Sequence, residues 1–169
     1  MYEKPVRSEG EELIEEYFEE EGIDFKSEVK IEGLKDDKKP YRKADFYLPQ
    51  YKIYVEFLGL WNIEKNRESY KEKIRVYEKN NKPCVYIYPE NLGILSFIFK
   101  RRLKKVLKKY NMKWELFKIN WNLFQEKHLL EILIFILLSI FADSMVLKVI
   151  SIVLSIYLII LALKSTFFK

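Results

Sequence analysis

The chain has 169 residues, with 30 Lys+Arg against 25 Asp+Glu, one histidine, one cysteine and five glycines. That inventory excludes a Cys/His zinc site, argues against a Ser-His-Asp triad, and leaves little room for a glycine-rich phosphate loop. The net charge of +5 hides a segregation: residues 1–96 carry 17 basic against 21 acidic side chains, 97–128 carry 10 against 2, and 129–169 carry 3 against 2.

A first helix is expected over residues 8–21, with Gly22 just past its end. Ser8 lies three residues before Glu11, the spacing of a capping box. Glu11 also shares helical spacing with Ile14 and Phe18, on the apolar stripe that must face a sheet, whereas Glu12, Glu16 and Glu19 fit the solvated face. It therefore has two readings, a cap or a third acid converging on a site. A strand over 24–32 follows, carrying Glu28, and then the polar loop GLKDDKK.

Residues 41–61, YRKADFYLPQYKIYVEFLGLW, form the most informative stretch. Two apolar-aromatic runs flank Pro49-Gln50 and read as a β-hairpin over 41–58. With a two-residue turn, Leu48 pairs with Tyr51, Asp45 lies opposite Tyr54, and Lys43 lies opposite Glu56. Faces alternate along each strand, so Asp45 and Glu56 project from one side as diagonal neighbours, with Cβ atoms roughly 7 Å apart or less. Two carboxylates that close in an apolar sheet repel unless a cation lies between them. A hard divalent ion such as Mg²⁺ suits the pair, because it takes one or two carboxylates and fills its other positions with water and phosphate oxygens. The plainer alternative is a pair of acids on an exposed strand face.

A helix is expected over 63–80, closed by Asn80, Asn81 and Pro83. CVYIY at 84–88 reads as a buried central strand, with Cys84 a small buried hydrophobe. The next helix, over 92–109, keeps a narrow apolar stripe of Leu103, Val106, Leu107 and Tyr110 beside a strongly basic outer face. That face has three readings: solvated, in contact with phosphates, or drawn to anionic lipid at roughly 1 kcal/mol per basic residue.

From residue 129 the chain turns apolar, and residues 132–142 and 149–163 are uncharged. Helices are expected over 129–142 and 145–163, joined at Asp143-Ser144; at 1.5 Å per residue they reach about 21 and 28 Å, against a hydrocarbon layer of ~30 Å. Trp114 and Trp121 lie upstream, where an interfacial belt would sit. Basic residues flank both ends, including Lys164 and Lys169, so the positive-inside rule places both ends in the cytoplasm. No cleavable N-terminal signal is expected. A soluble dimerisation hairpin, and with it a homodimer, is the alternative; two helices apolar on nearly every face cannot hide in a hairpin alone.

The pattern S-x-G-E-x-x-I, then Glu28, R-x-x-D-F-Y-L-P, Y-V-E-F-x-G, and Y-x-x-K-x-x-x-Y before V-Y-I-Y-P resembles the PD-(D/E)xK superfamily. It resembles in particular the small restriction-endonuclease-like proteins with a DFYLP hairpin, and the likeness covers residues 6–96. The resemblance implies an α-β-β-β-α-β core that binds Mg²⁺ or Mn²⁺ and cleaves phosphodiester bonds. It assigns Asp45 and Glu56 as the metal-binding acids and Glu11 as the helix glutamate; Glu28 matches a recurrent strand acid of unassigned role. Ala44 replaces the proline before the first acid, and Leu58 stands where the catalytic lysine is expected. Some members supply that lysine from the following helix. Here Lys73 is the candidate, three residues from Tyr70 and four from Tyr77, with Lys43 as runner-up; the alternative for Lys73 is a snorkelling surface lysine.

The sequence thus predicts an α/β nuclease-like domain over 1–96, a basic helix and juxtamembrane linker over 97–128, and a hydrophobic hairpin over 129–169. The expected activity is divalent-metal-dependent hydrolysis of nucleic acid, DNA favoured, at the cytoplasmic face of a membrane. Catalytic roles fall to Asp45, Glu56, Lys73 and Glu11. The rivals are a tethered nucleic-acid-binding module without catalysis, and a membrane scaffold whose nuclease-like fold serves protein contacts.

Overall fold

A computed structural model describes residues 8–120, 133–135, 137, 140 and 144–167, the side chains of 161–167 excepted. The chain divides into two units, Met1–Asn111 and Met112–Lys169.

The first unit opens with α1 (Glu9–Glu20). Ser8 precedes it in an extended conformation, and its backbone N–H donates to the Glu11 carboxylate at 2.8 Å, the far arm of a capping box. Ile14, Tyr17 and Phe18, at helical spacing, are its buried face. The helix stops in a Schellman turn. Gly22 takes φ +62°, a conformation costly for any residue with a Cβ, while Ile23 N–H reaches Phe18 O at 2.8 Å and Gly22 N–H reaches Glu19 O at 3.1 Å.

Four strands follow as one mixed sheet in the order β1-β2-β3-β4: β1 (Lys26–Glu32), β2 (Tyr41–Leu48), β3 (Ile53–Phe57) and β4 (Cys84–Ile87). The first three are antiparallel neighbours, and β4 runs parallel to β3 after α2 (Glu64–Lys79) crosses between them. Along the first unit the elements therefore run α-β-β-β-α-β, followed by a short 3₁₀ turn at Pro89–Ile94 and by α3 (Leu95–Lys109).

Two expectations need correction here. The β2–β3 turn has four residues, 49–52, so Leu48 pairs with Ile53 and Phe46 with Val55. Pro49 brings no N–H to the ladder; the Leu48 carbonyl is taken by Tyr51 N–H at 3.2 Å, and Lys52 at φ +55° turns the chain back. A slip of two residues keeps every side chain on its face, so Asp45 and Glu56 still share one side. They now lie directly opposite in register, and Lys43 no longer faces Glu56. Second, β4 lies at the sheet edge with β3 as its neighbour, not in the middle. Its apolar sequence reflects the α3 cover, whose Arg102 guanidinium donates to the outward-facing Tyr86 carbonyl.

Helices cover both sides of the sheet. On one side Phe18 of α1 packs edge-on against Phe46 of β2 and Phe99 of α3, with ring centroids 5.5 and 5.2 Å apart. On the other, Tyr77 of α2 meets Tyr54 of β3, beside Tyr47 of β2. Leu95, Phe99, Leu103 and Leu107 bury the inner face of α3. Arg101, Lys105, Lys108 and Lys109 are exposed, while Arg102 and Lys104 are partly buried.

In the second unit residues 113–120 are helical, and α4 spans Met145–Phe167. Side chains such as Met145, Val146, Ile152, Val153 and Ile156 are exposed along α4. Among the described residues no helix is long and apolar enough to cross a membrane. Of the first expected tail helix, residues 133–135, 137 and 140 are helical, and the rest, with Asp143 and Lys169, lies outside the described residues.

Candidate active site

The β2–β3 ladder runs only as far as Phe46 and Val55, and Asp45 stands where it stops. Its Oδ2 accepts the Phe57 N–H at 2.6 Å, so the side chain takes the place of a ladder carbonyl and holds the two strand ends together. Burial raises the Asp45 carboxyl to about 6; the Lys73 charge and the Phe57 N–H oppose the rise, while Glu11 and Glu28 add to it.

Glu56, only 1% exposed, shares the face with Asp45. Its Oε1 accepts from Tyr77 OH at 2.8 Å, and its Oε2 accepts from Lys73 Nζ. Both donors come from α2, one helical turn apart, which is the i, i+4 geometry that lays two side chains side by side. Burial, reinforced by the neighbouring Asp45 charge, raises the Glu56 carboxyl to about 8 against the opposing pull of Lys73 and Tyr77. The Lys73 Nζ donates a second hydrogen bond to the Lys43 carbonyl at 2.8 Å. Lys73 is thus bound at both ends of its reach, and its side chain is 17% exposed.

Lys43 contributes its backbone to the cluster and sends its ammonium to Glu28. Glu28 takes φ +53°, an uncommon conformation for a residue with a side chain, at the position in β1 that lies between the Ser27–Phe46 and Val29–Ala44 pairs. The strained residue therefore sits beside Asp45. Glu11 makes the capping contact described above and is half-buried; its charge is felt at Asp45. Gly10 accounts for its proximity: a Cβ there would meet the Phe57 ring at 2.3 Å, so with any other residue the ring would have to shift for the start of α1 to approach the end of β3 so closely. Among the described residues no group of three His, Cys, Asp or Glu side chains is placed to hold a metal ion. Asp45 and Glu56 are brought together, and Glu11 stays engaged at its helix end.

Leu58 is completely buried, with its N–H on the Ile87 carbonyl. A lysine at position 58 would need to place an ammonium in that apolar setting. Lys73 brings the cation to Glu56 from α2 instead.

Two features were not read from the sequence. The Tyr77 hydroxyl is a ligand of Glu56, although its spacing from Lys73 was the available signal. Asp37, in what reads as a solvated loop, forms a bidentate pair with Arg42 at 2.7 Å on both arms, and both side chains are buried. That pair pins the loop beside a cleft of about 560 Å³ lined by Lys39, Tyr41, Arg42, Lys43, Tyr70 and Lys73. The lining carries four cations and no acid.

Comparison of the chain with protein-family profiles, with curated protein sequences and with solved structures gives no match.

Proposed function

We propose that the chain is a membrane-anchored, divalent-metal-dependent endonuclease acting on nucleic acid, DNA favoured, with a restriction-endonuclease-like core. The observation that carries this reading is the cluster in which Lys73 Nζ is held on Glu56, beside Asp45. The α-β-β-β-α-β order and the placement of both acids on one hairpin face support the family likeness.

The donor set fits a hard cation. Two buried carboxylates, both with raised proton affinity, would ionise together when a divalent ion lies between them. Asp45 and Glu56 would hold Mg²⁺ or Mn²⁺, which would supply Lewis acidity at the scissile phosphate. Tyr77 fixes the Glu56 carboxylate. Lys73 orients the attacking water and neutralises charge developing on the scissile phosphate, which positioning and electrostatic stabilisation both require. The tyrosine-bearing cleft at Lys73 suits a nucleic-acid strand, with Tyr41 and Tyr70 for bases and Lys39 for a phosphate, while Arg42, Lys43 and Lys73 are each paired with a carboxylate.

Membrane attachment rests on α4 and the apolar tail. Exposed aliphatic side chains on this scale need lipid or a partner as cover, and the basic flanks place the nuclease domain on the cytoplasmic side. The anionic lipid surface is the expected neighbour of the basic helix.

The test is cleavage of plasmid DNA, oligodeoxynucleotides and RNA with Mg²⁺ and Mn²⁺, by wild type and Glu56→Gln. Activity lost in the variant supports the reading. Leu58 favours one rival, a tethered module that binds nucleic acid without cutting it. Binding by a wild type that cuts nothing with any divalent ion would establish that rival.

A further inference from the structure

A second cavity, of about 320 Å³, lies between α3 and the outer edge of β4, walled by Cys84, Val85, Tyr86, Tyr88, Arg102 and Lys105 among others. Its volume is within the range of small-molecule sites, ~300–1,000 Å³. Lys109 and Glu78 also line it, but they pair with each other at 2.6 Å. Arg102 and Lys105 form no ion pair among the described residues. Arg102 is fixed: it donates to the Tyr86 carbonyl and lies over the Tyr88 ring at 5.0 Å from the centroid. That uses one edge of the guanidinium and leaves further N–H groups of its fork. Partial burial works against its charge, a cost that a bound anion would remove. The Tyr86 hydroxyl is buried beside the Cys84 thiol, with no oxygen or nitrogen partner. Arg102, with N–H groups of its fork still unused, and Lys105 thus share one wall of the cavity.

We propose that this cavity binds a phosphate monoester, with Arg102 and Lys105 on the phosphate and Val106 and Tyr110 against the organic part. A phosphate offers several acceptor oxygens and up to two charges, matching a fork and an ammonium better than a carboxylate does. The ester comes from one of two sources: a nucleoside monophosphate, or the headgroup of a phosphomonoester lipid, since α3 carries the basic face expected near the bilayer. The site stands one strand away from Glu56, whose register partner is Tyr86, and does not depend on the nuclease reading.

The experiment is calorimetric titration of the full chain in detergent micelles with adenosine 5′-monophosphate and, separately, with dioctanoyl phosphatidic acid. The expected result is saturable one-site binding of at least one ester, weakened about tenfold or more by Arg102→Gln and by Lys105→Glu, the loss of one charge-assisted contact. Binding of the nucleotide alone, of the lipid alone, or of both identifies the source. The Lys38→Gln variant, an exposed lysine before β2, should bind as wild type. Lys105→Glu alters a surface side chain and keeps the test valid if Arg102→Gln fails to fold. No binding of either ester, or binding unchanged in Lys105→Glu, overturns the proposal.

Discussion

Lys73 Nζ lies on Glu56 Oε2, although 17 positions separate the two residues in the chain and no lysine follows Glu56 at the expected spacing. A cation delivered from α2 reaches the same carboxylate that a strand lysine would have served. Under the nuclease reading, Lys73→Ala should lower cleavage about a hundredfold or more while metal affinity changes little, because the ammonium acts on water and phosphate. Lys43→Ala should keep most activity, since that ammonium pairs with Glu28. The reverse pattern in a plasmid-cleavage assay would reassign the lysine.

Asp45 and Glu56 should be the divalent site. Residues 1–112 are expected to fold without the tail and to bind Mg²⁺ or Mn²⁺ in calorimetry, and Asp45→Asn should abolish the binding. Glu56, raised to about 8, retains its proton at neutrality, so binding at pH 7 should release about one proton, measured by varying the buffer ionisation enthalpy. Unchanged affinity in Asp45→Asn removes both residues from a metal role.

The same shifts set a pH dependence. Folded-state values of about 6 and 8 lie above those of unfolded carboxyls, so the native state binds protons more tightly than the unfolded chain. The stability contributed is complete near pH 4 and is lost as pH rises through 6 and then 8. In EDTA the melting temperature should therefore fall from about pH 4 to about pH 8 and level off above. Glu56→Gln should flatten that fall, and Mg²⁺ at pH 8.5 should reverse it. A wild-type profile that is flat or rising in EDTA contradicts the burial argument.

Tyr77→Phe removes the hydroxyl that donates to Glu56 Oε1. Near neutrality, where Glu56 holds its proton, loss of this buried hydrogen bond should cost about 0.5–1.5 kcal/mol in urea unfolding, and it should raise the proton affinity of Glu56 further. Cleavage should then need a higher pH, because the carboxylate must ionise first. A variant with wild-type stability and pH profile would make Tyr77 a bystander.

The tail should carry the full chain into membranes, and high salt should not release it, because inserted apolar helices are not held by screened charge. Engineered cysteines at position 169 and beside Asp143 should label from opposite sides, with 169 reachable only from the cytoplasm. Labelling of 169 from outside would contradict the hairpin. Salt extraction of the whole protein would point to a surface-lying or oligomerising tail.

Local patterns carried much of this protein. The Ser8-x-x-Glu11 cap, the Gly22 stop, the Ile14–Phe18 stripe and the alternation in β2 and β3 depend on near neighbours, so the sequence alone determined those elements. The same parity put Asp45 and Glu56 on one face, and it survived a register error because a slip of two residues restores every face. What neighbours along the chain could not decide was register, edges and convergence. The four-residue turn depends on Lys52 adopting φ +55°, and β4 is apolar because α3 covers it, although it has one strand neighbour. The tyrosine on Glu56, the strained Glu28 beside Asp45 and the buried Arg42–Asp37 pair arise only when residues far apart in sequence meet. Hydrophobic periodicity sets which face turns inward; only tertiary packing sets which polar groups are shut in together and must satisfy one another.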